Sequence, residues 1–79
     1  MTFAKGDYVR LKIAPNTRMG TIEGVKTERG WVKYHFRQDH RFRETGPLFE
    51  AWFLDDELER CTRPSDQHWA AINKAVEMG

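Results

Sequence analysis

The stretch that decides the fold is Trp31-Val32-Lys33-Tyr34-His35-Phe36-Arg37, in which every second residue from Val32 onward is apolar. The stretch Asp7-Tyr8-Val9-Arg10-Leu11-Lys12-Ile13 shows the same alternation from Val9 onward. Successive side chains of a β-strand point to opposite faces of the sheet, so each stretch predicts a strand with one face in the core and one facing solvent. The outward positions carry basic and aromatic residues in both stretches. This pattern predicts a binding surface on a small β-structure.

The remaining strands are predicted around these two, at about 19–28 and 50–54, with a short last strand at 59–62. Apolar residues change parity between Ile22 and Val25, so Gly24 is predicted to form a β-bulge. Arg29-Gly30 is predicted to be the tight turn between the second and third strands. A 3₁₀ turn at 55–58 is expected to bring Leu58 into the core.

A loop and a helix complete the predicted elements. Residues 38–49 show no periodicity and predict a long loop, and loops of this length often serve function. Ser65 precedes apolar residues at helical spacing, which predicts a helix at about 66–78 that Ser65 caps and Gly79 ends. So short a helix is marginal alone and is expected to pack on an open end or edge of the sheet. The predicted core is Val9, Leu11, Ile13, Ile22, Val32, Tyr34, Phe36, Phe53 and Leu58, with Trp69, Ile72 and Val76 beneath the helix.

Length and composition are those of a small folded protein. The chain has 79 residues, 39% of them hydrophobic and 32% charged, which fits one globular domain with a small core. No apolar run approaches the ~20 residues that cross a bilayer, and the first residues lack a signal-peptide pattern. Cys61 is the only cysteine, which agrees with a reducing compartment. We therefore expect a cytoplasmic protein without a membrane partner.

The charges are distributed unevenly along the chain. Residues 1–43 contain ten Lys or Arg and four Asp or Glu, a net charge of +6, whereas residues 44–79 contain three and eight, a net charge of −5. A basic half favours an anionic partner such as nucleic acid. Internal pairing of opposite charges, or head-to-tail self-association, explains the same distribution. Both interpretations stay open on the sequence.

The order of these elements resembles that of SH3-like small β-barrels, in particular KOW-like and Tudor-like ones. The segments that carry the resemblance are Lys5–Arg10, Met19–Val25, Trp31–Phe36 and Trp52–Glu59. The resemblance implies an all-β fold, an SH3-like barrel of about five short antiparallel strands with one C-terminal α-helix. The barrel would occupy residues 1–63, and residues 64–79 would form the helix packed on it, within a single domain. Such barrels serve many unrelated functions.

A narrower similarity is to the plasmid-borne type II dihydrofolate reductases, which are SH3-like barrels assembled as tetramers. It covers Gly6–Arg10, Gly20–Gly24 and Leu58–Arg60. The Val-Gln-Ile-Tyr segment that lines the shared pore of those enzymes corresponds here to Glu50–Phe53, with the sequence Glu-Ala-Trp-Phe. The residues that would bind cofactor and substrate therefore differ. A reductase of this kind is kept as a remote alternative, and no cofactor is predicted.

The candidate binding residues occupy outward strand positions and the 38–49 loop. They are Tyr8, Arg10, Lys12, Trp31, Lys33, His35, Arg37, Arg41, Arg43 and Trp52. Cationic side chains contact phosphates, and an aromatic ring stacked on a base contributes ~1–3 kcal/mol. The leading prediction is a non-enzymatic module that binds nucleic acid. The alternatives are a protein partner, self-assembly into a homo-oligomer, an unspecialised solvated face, and a methyl-lysine cage formed by Tyr8, Trp31 and Trp52.

No catalytic or metal site is predicted. The histidines His35, His40 and His68 and the single Cys61 do not show the paired spacing that is typical of metal sites. Ser65, the only serine, is explained as a helix cap, and no histidine is fixed beside Cys61 by the sequence.

Overall fold

The alternating segments form one antiparallel sheet, which is followed by a single helix. The computed structural model describes residues 2–43 and 46–78. The strands are β1 (Tyr8–Leu11), β2 (Met19–Glu28), β3 (Trp31–Gln38), β4 (Glu50–Leu54) and β5 (Leu58–Arg60). Their spatial order is β4-β3-β2-β1-β5, with every neighbouring pair antiparallel. A 3₁₀ turn (Asp55–Glu57) joins β4 to β5, and α1 (Asp66–Met78) follows. The predicted class of five antiparallel strands with one C-terminal helix is confirmed.

Local turn chemistry fixes the long β2–β3 hairpin. Arg29 and Gly30 form its turn with positive φ values of 52° and 82°. Positive φ at both turn residues matches the right-handed twist of the flanking strands. The register between β2 and β3 shifts between Ile22 and Gly24, so the predicted bulge is confirmed. This shift brings Val25, which has the opposite parity, back toward the core side of the sheet.

One hydrophobic cluster fills the inner side of the sheet. Its buried members are Phe3, Val9, Leu11, Ile22, Tyr34, Phe36 and Leu58, with Val25, Val32, Phe49 and Phe53 half-buried against them. Phe3 was not predicted, because the segment before β1 has no periodicity. Its ring meets the Tyr34 ring edge-on at 5.2 Å, and the Thr2 backbone N–H donates to the Tyr34 hydroxyl at 2.9 Å. These contacts hold the N-terminal segment against the sheet.

The prediction that Ile13 belongs to the core is wrong. The side chain is 91% exposed. β1 ends at Leu11 rather than at residue 13, because the chain turns there: the Ala14 N–H donates to the Leu11 carbonyl at 3.2 Å and the Arg18 N–H to the Ala14 carbonyl at 2.9 Å. The alternation at Lys12 and Ile13 therefore lies outside any strand and does not place Ile13 in the core.

A second cluster packs α1 against the start of β2 and the loop after β3. Trp69 is buried with Met19 and Phe42. The predicted bounds of the helix are confirmed at residues 66–78, and the Ser65 hydroxyl accepts a hydrogen bond from the His68 N–H at 3.2 Å, as expected for an N-cap. Its predicted stop, Gly79, lies outside the described residues. In residues 2–43 and 46–78, no helix has both the length and the apolar character that a membrane crossing requires.

Beneath the second half of α1 the contact is polar rather than apolar. Val76 is exposed, so its predicted core position is wrong. Asn73 is buried instead: its side chain accepts from the Arg43 N–H at 2.8 Å and donates to the Arg41 carbonyl at 2.9 Å. Buried backbone groups need hydrogen-bond partners, and the Asn73 amide supplies them to the loop after β3. This explains why a polar residue is buried at position 73.

Candidate nucleic-acid interface

The outward side chains of β2, β3 and β4 form one connected surface, here called the β2–β4 face. Its basic and aromatic members are Lys26 on β2, Trp31, Lys33, His35 and Arg37 on β3, and Trp52 on β4. Lys26 is paired with Lys33 across the β2–β3 ladder, and His35 with Trp52 across the β3–β4 ladder. Cross-strand partners lie side by side on one face of a sheet. The structure therefore brings together five of the residues that the sequence singled out, and adds Lys26.

Trp52 is the centre of this face. Its ring stacks on His35 with centroids 5.0 Å apart and planes at 23°, and the Lys26 Nζ lies 4.3 Å from the ring centroid. The indole also extends across β3 toward Gly24, where an added Cβ would lie 3.9 Å from the Trp52 Cη2. The indole therefore lies above Gly24 of β2. Trp52 keeps 42% of its surface exposed.

Trp31 is the most accessible aromatic residue of the face. It begins β3 directly after the hairpin turn and lies opposite Glu28. Its side chain is 62% exposed, and within the described part of the chain no other ring stacks on it. An exposed indole beside basic residues can stack on a planar ligand such as a nucleobase.

Acidic side chains lie among the cations of this face. Glu28 is 3.5 Å from the Lys26 Nζ and 3.6 Å from the Lys33 Nζ, and Glu50 is 3.2 Å from the His35 Nε2. Pairs of this kind at the surface contribute only about 0–1 kcal/mol. The Lys26 and Lys33 side chains also stay 42% and 34% exposed, so their ammonium groups are accessible from solvent. The same pairs give the face the mixed charge that many protein interfaces have.

The candidate residues of β1 lie apart from Trp31 and Trp52. Tyr8 packs against the second hydrophobic cluster, and its hydroxyl donates to Asp39 at 2.8 Å. Burial, together with that hydrogen bond, raises the pKa of Tyr8 above its ordinary value. Arg10 pairs with Glu59 at 2.7 Å, and the exposed Lys12 follows the end of β1. Tyr8 lies in the sheet row of Thr21 and Arg37, whereas Trp52 is paired with His35 and Trp31 with Glu28, so the three aromatic residues proposed for a methyl-lysine cage do not converge.

The loop after β3 contacts α1. Arg41 holds the Asp39 carboxylate with contacts of 2.7 and 3.1 Å, and its Nη1 reaches Asp66 at 3.2 Å. Burial alone would raise the pKa of Asp39, but hydrogen bonds from Arg41 and Tyr8 outweigh it and lower the pKa from 3.8 to about 2. Phe42 is buried, while Arg43 is exposed and 3.7 Å from Glu77. Arg41 is thus a structural link between the loop and the helix.

The charge asymmetry of the sequence is partly neutralised within the chain. Bases of the first half pair with acids of the second, as in Arg10–Glu59, Arg41–Asp66 and Arg43–Glu77. Internal pairing, one of the two open interpretations of the charge distribution, therefore accounts for a share of it.

Sequence reasoning overlooked two arginines, Arg60 at the end of β5 and Arg63 between β5 and α1. Arg60 and Arg63 belong to the acidic half of the chain, and this hid them from an argument based on regional charge. With Arg10 and His68 they line an open cleft of about 560 Å³ beside the segment that leads into α1. We call this the arginine cleft. The signal that could have found it is the local run Arg60-Cys61-Thr62-Arg63.

The described residues contain no group of three His, Cys, Asp or Glu side chains that could hold a metal ion. Cys61 lies in the wall of the arginine cleft, and burial raises the pKa of its thiol. A raised pKa leaves less of the reactive thiolate at neutral pH.

Comparisons with known protein families, with curated proteins and with solved structures find no significant match to this chain.

Proposed function

We propose that this chain is a non-enzymatic binding module of SH3-like layout that holds single-stranded nucleic acid on the β2–β4 face. Two features support the SH3-like layout, namely the glycine bulge in β2 and the 3₁₀ turn directly before β5. The likeness is one of element order. The binding role depends on the side chains of the face and not on the fold, since small barrels serve many functions.

The observation that carries the proposal is the shared face of Trp31, Trp52 and the cations beside them. Bases stack on exposed indoles in a way that tolerates any sequence, because every base has a π-face. Lys26 and Lys33 are cross-strand neighbours, so their ammonium groups lie together beside the aromatic surface. Single-stranded nucleic acid complements this face, because each nucleotide has a flat base that can stack on an indole and a phosphate that can contact a cation.

Removal of the Trp31 side chain is expected to weaken oligonucleotide binding about 5- to 150-fold, the equivalent of losing one base stack of ~1–3 kcal/mol. The measurement is fluorescence anisotropy of a labelled oligothymidine of roughly 12 nucleotides at about 50 mM salt. Because Trp31 is largely exposed, Trp31→Ala should leave the unfolding midpoint nearly unchanged.

Ile13→Ala is the matched control, since it also removes an exposed apolar side chain but lies outside the β2–β4 face. Its affinity should equal that of the wild type. For the wild type, raising the salt from about 50 to about 200 mM should weaken binding about tenfold or more, as phosphate contacts by several cations require. Equal affinities for both variants, or no anisotropy change with the wild type, would contradict the proposal.

A protein partner or a second copy of this chain is the second candidate, and the position of β4 favours it. β4 is an edge strand of the sheet, and an unpaired edge can accept an added strand from another chain. Trp52 lies on this strand beside the mixed charges of the face. Light scattering that shows a concentration-dependent dimer, lost in a folded Trp52→Ala variant, would replace the nucleic-acid proposal with this one.

A further inference from the structure

We infer that the arginine cleft is a phosphate-binding site that takes the phosphodiester backbone of the strand whose bases lie on the β2–β4 face, with Arg63 joining the two surfaces. The inference rests on the proposed function. It extends the binding surface to residues that lie on the other side of β1.

The walls of the arginine cleft are basic. Three guanidinium groups and one imidazole line the cleft, and none of its lining residues is acidic. Low-dielectric walls that carry one sign of charge concentrate the field within a cleft and raise the local concentration of the opposite ion. Guanidinium groups in particular match the geometry of phosphate oxygens, with two parallel N–H donors.

The ion pairs of these arginines leave room for a ligand. Arg10 is held by Glu59 and Arg60 lies 3.3 Å from Asp7, but neither acid lines the cleft. Arg63 differs from both: within residues 2–43 and 46–78 no carboxylate pairs with it. Its Cζ lies 4.7 Å from the centroid of the Tyr8 ring, so a ring rather than an acid positions the guanidinium. Its positive charge therefore remains available to an anion.

Arg63 also connects the cleft with the β2–β4 face. A neighbouring hollow of about 380 Å³ is lined by the bases Arg63 and Arg37, by Tyr8 and Thr21, and by the acids Glu23 and Asp39, among others. Tyr8, Thr21 and Arg37 form one row across β1, β2 and β3, because Tyr8 is paired with Thr21 and Thr21 with Arg37. Arg37 already belongs to the β2–β4 face. Arg37 and Arg63 therefore line one hollow between the β2–β4 face and the arginine cleft. Of the two acids beside them, Asp39 is already held by Arg41.

The test combines an oligonucleotide with a small phosphate probe. In the anisotropy titration, Arg63→Ala is expected to weaken binding about fivefold at low salt and to reduce the slope of log K against log salt by about 0.7, the value for one phosphate contact on a single strand. Lys74→Ala is the charge-matched control, since Lys74 is an exposed helix residue outside both cavities, and its slope should not change. Arg63→Lys, which keeps the charge, should retain most of the slope.

The second measurement is an NMR titration with inorganic pyrophosphate, following the backbone amides. Shifts at Cys61, Thr62 and Arg63, absent from Arg63→Ala, would support the phosphate site. If the oligonucleotide binds but Arg63→Ala behaves like Lys74→Ala and pyrophosphate shifts no cleft amide, the inference is overturned and the proposed function stands. If pyrophosphate shifts these amides but no oligonucleotide binds, the proposed function is overturned and the nucleic-acid strand is excluded as the occupant of the cleft.

Discussion

A Gly20→Ala variant is expected to lose about 3–5 kcal/mol of unfolding free energy, which is a large part of the total for a chain of this size. Gly20 lies on β2, paired with Val9 of β1 on one side and Gln38 of β3 on the other. A Cβ at this position would collide with the backbone carbonyl of Arg37. Arg37 is paired with Thr21 of β2 and with Glu50 of β4, so its backbone cannot yield without separating β2 from β3. The measurement is urea unfolding followed by circular dichroism.

Gly24→Ala is the control within the same strand. A Cβ there would meet the Cβ of His35 and the Cη2 of Trp52 at 3.9 Å, which is ordinary van der Waals contact. We expect its unfolding free energy to change by less than about 1 kcal/mol. Similar midpoints for the two variants would show that the close approach of β2 and β3 at Gly20 does not constrain the fold.

An Asp39→Asn variant is expected to lose about 2–4 kcal/mol of unfolding free energy, because it removes the charge that Arg41 and Tyr8 contact in a buried position. The Asp39 side chain is only 3% exposed. Asp66→Asn is the matched control: its carboxylate contacts the same Arg41 at 3.2 Å, but the side chain is 92% exposed. Its expected cost is below about 0.5 kcal/mol.

The Asp39 carboxylate is also expected to make the unfolding free energy depend on pH. The pKa of Asp39 is about 2 in the folded chain, against 3.8 as its ordinary value. The folded state therefore favours the charged form, and this stabilisation is fully present above about pH 4 and is lost as the pH falls toward 2. Its size is about 2 kcal/mol, from a shift of nearly two pKa units. Unfolding free energies measured from pH 5 to pH 2 should fall more steeply for the wild type than for Asp39→Asn. Parallel curves would contradict this role.

Much of the fold follows from local sequence. Alternation, the Arg29-Gly30 turn and the Ser65 cap act over a few residues, and the elements they predict are found at or near the expected bounds. Ile13 shows the limit of that reasoning, since a strand ends where the chain turns and not where alternation stops. Asn73 shows another, because its burial depends on loop backbone some thirty residues away in the sequence.

The sequence predicts on which face of its strand each candidate side chain lies, but not which side chains it contacts. Alternation places Trp31 and Lys33 on the same face whatever the neighbouring strands do. Which cations are neutralised depends on register, as in the pairing of Arg10 with Glu59 across β1 and β5. Arg63 lies in no periodic segment, so only the local run Arg60-Cys61-Thr62-Arg63 points to it, and its neighbours in the hollow come from β1, β2 and β3.

The most direct test of the central claim is an NMR titration of the isotope-labelled protein with single-stranded oligothymidine at low salt. We expect the largest shifts at the indole N–H signals of Trp31 and Trp52 and at the amides of Lys33 and His35. A titration in which these signals stay unchanged while the oligonucleotide is in large excess would contradict a nucleic-acid interface on the β2–β4 face.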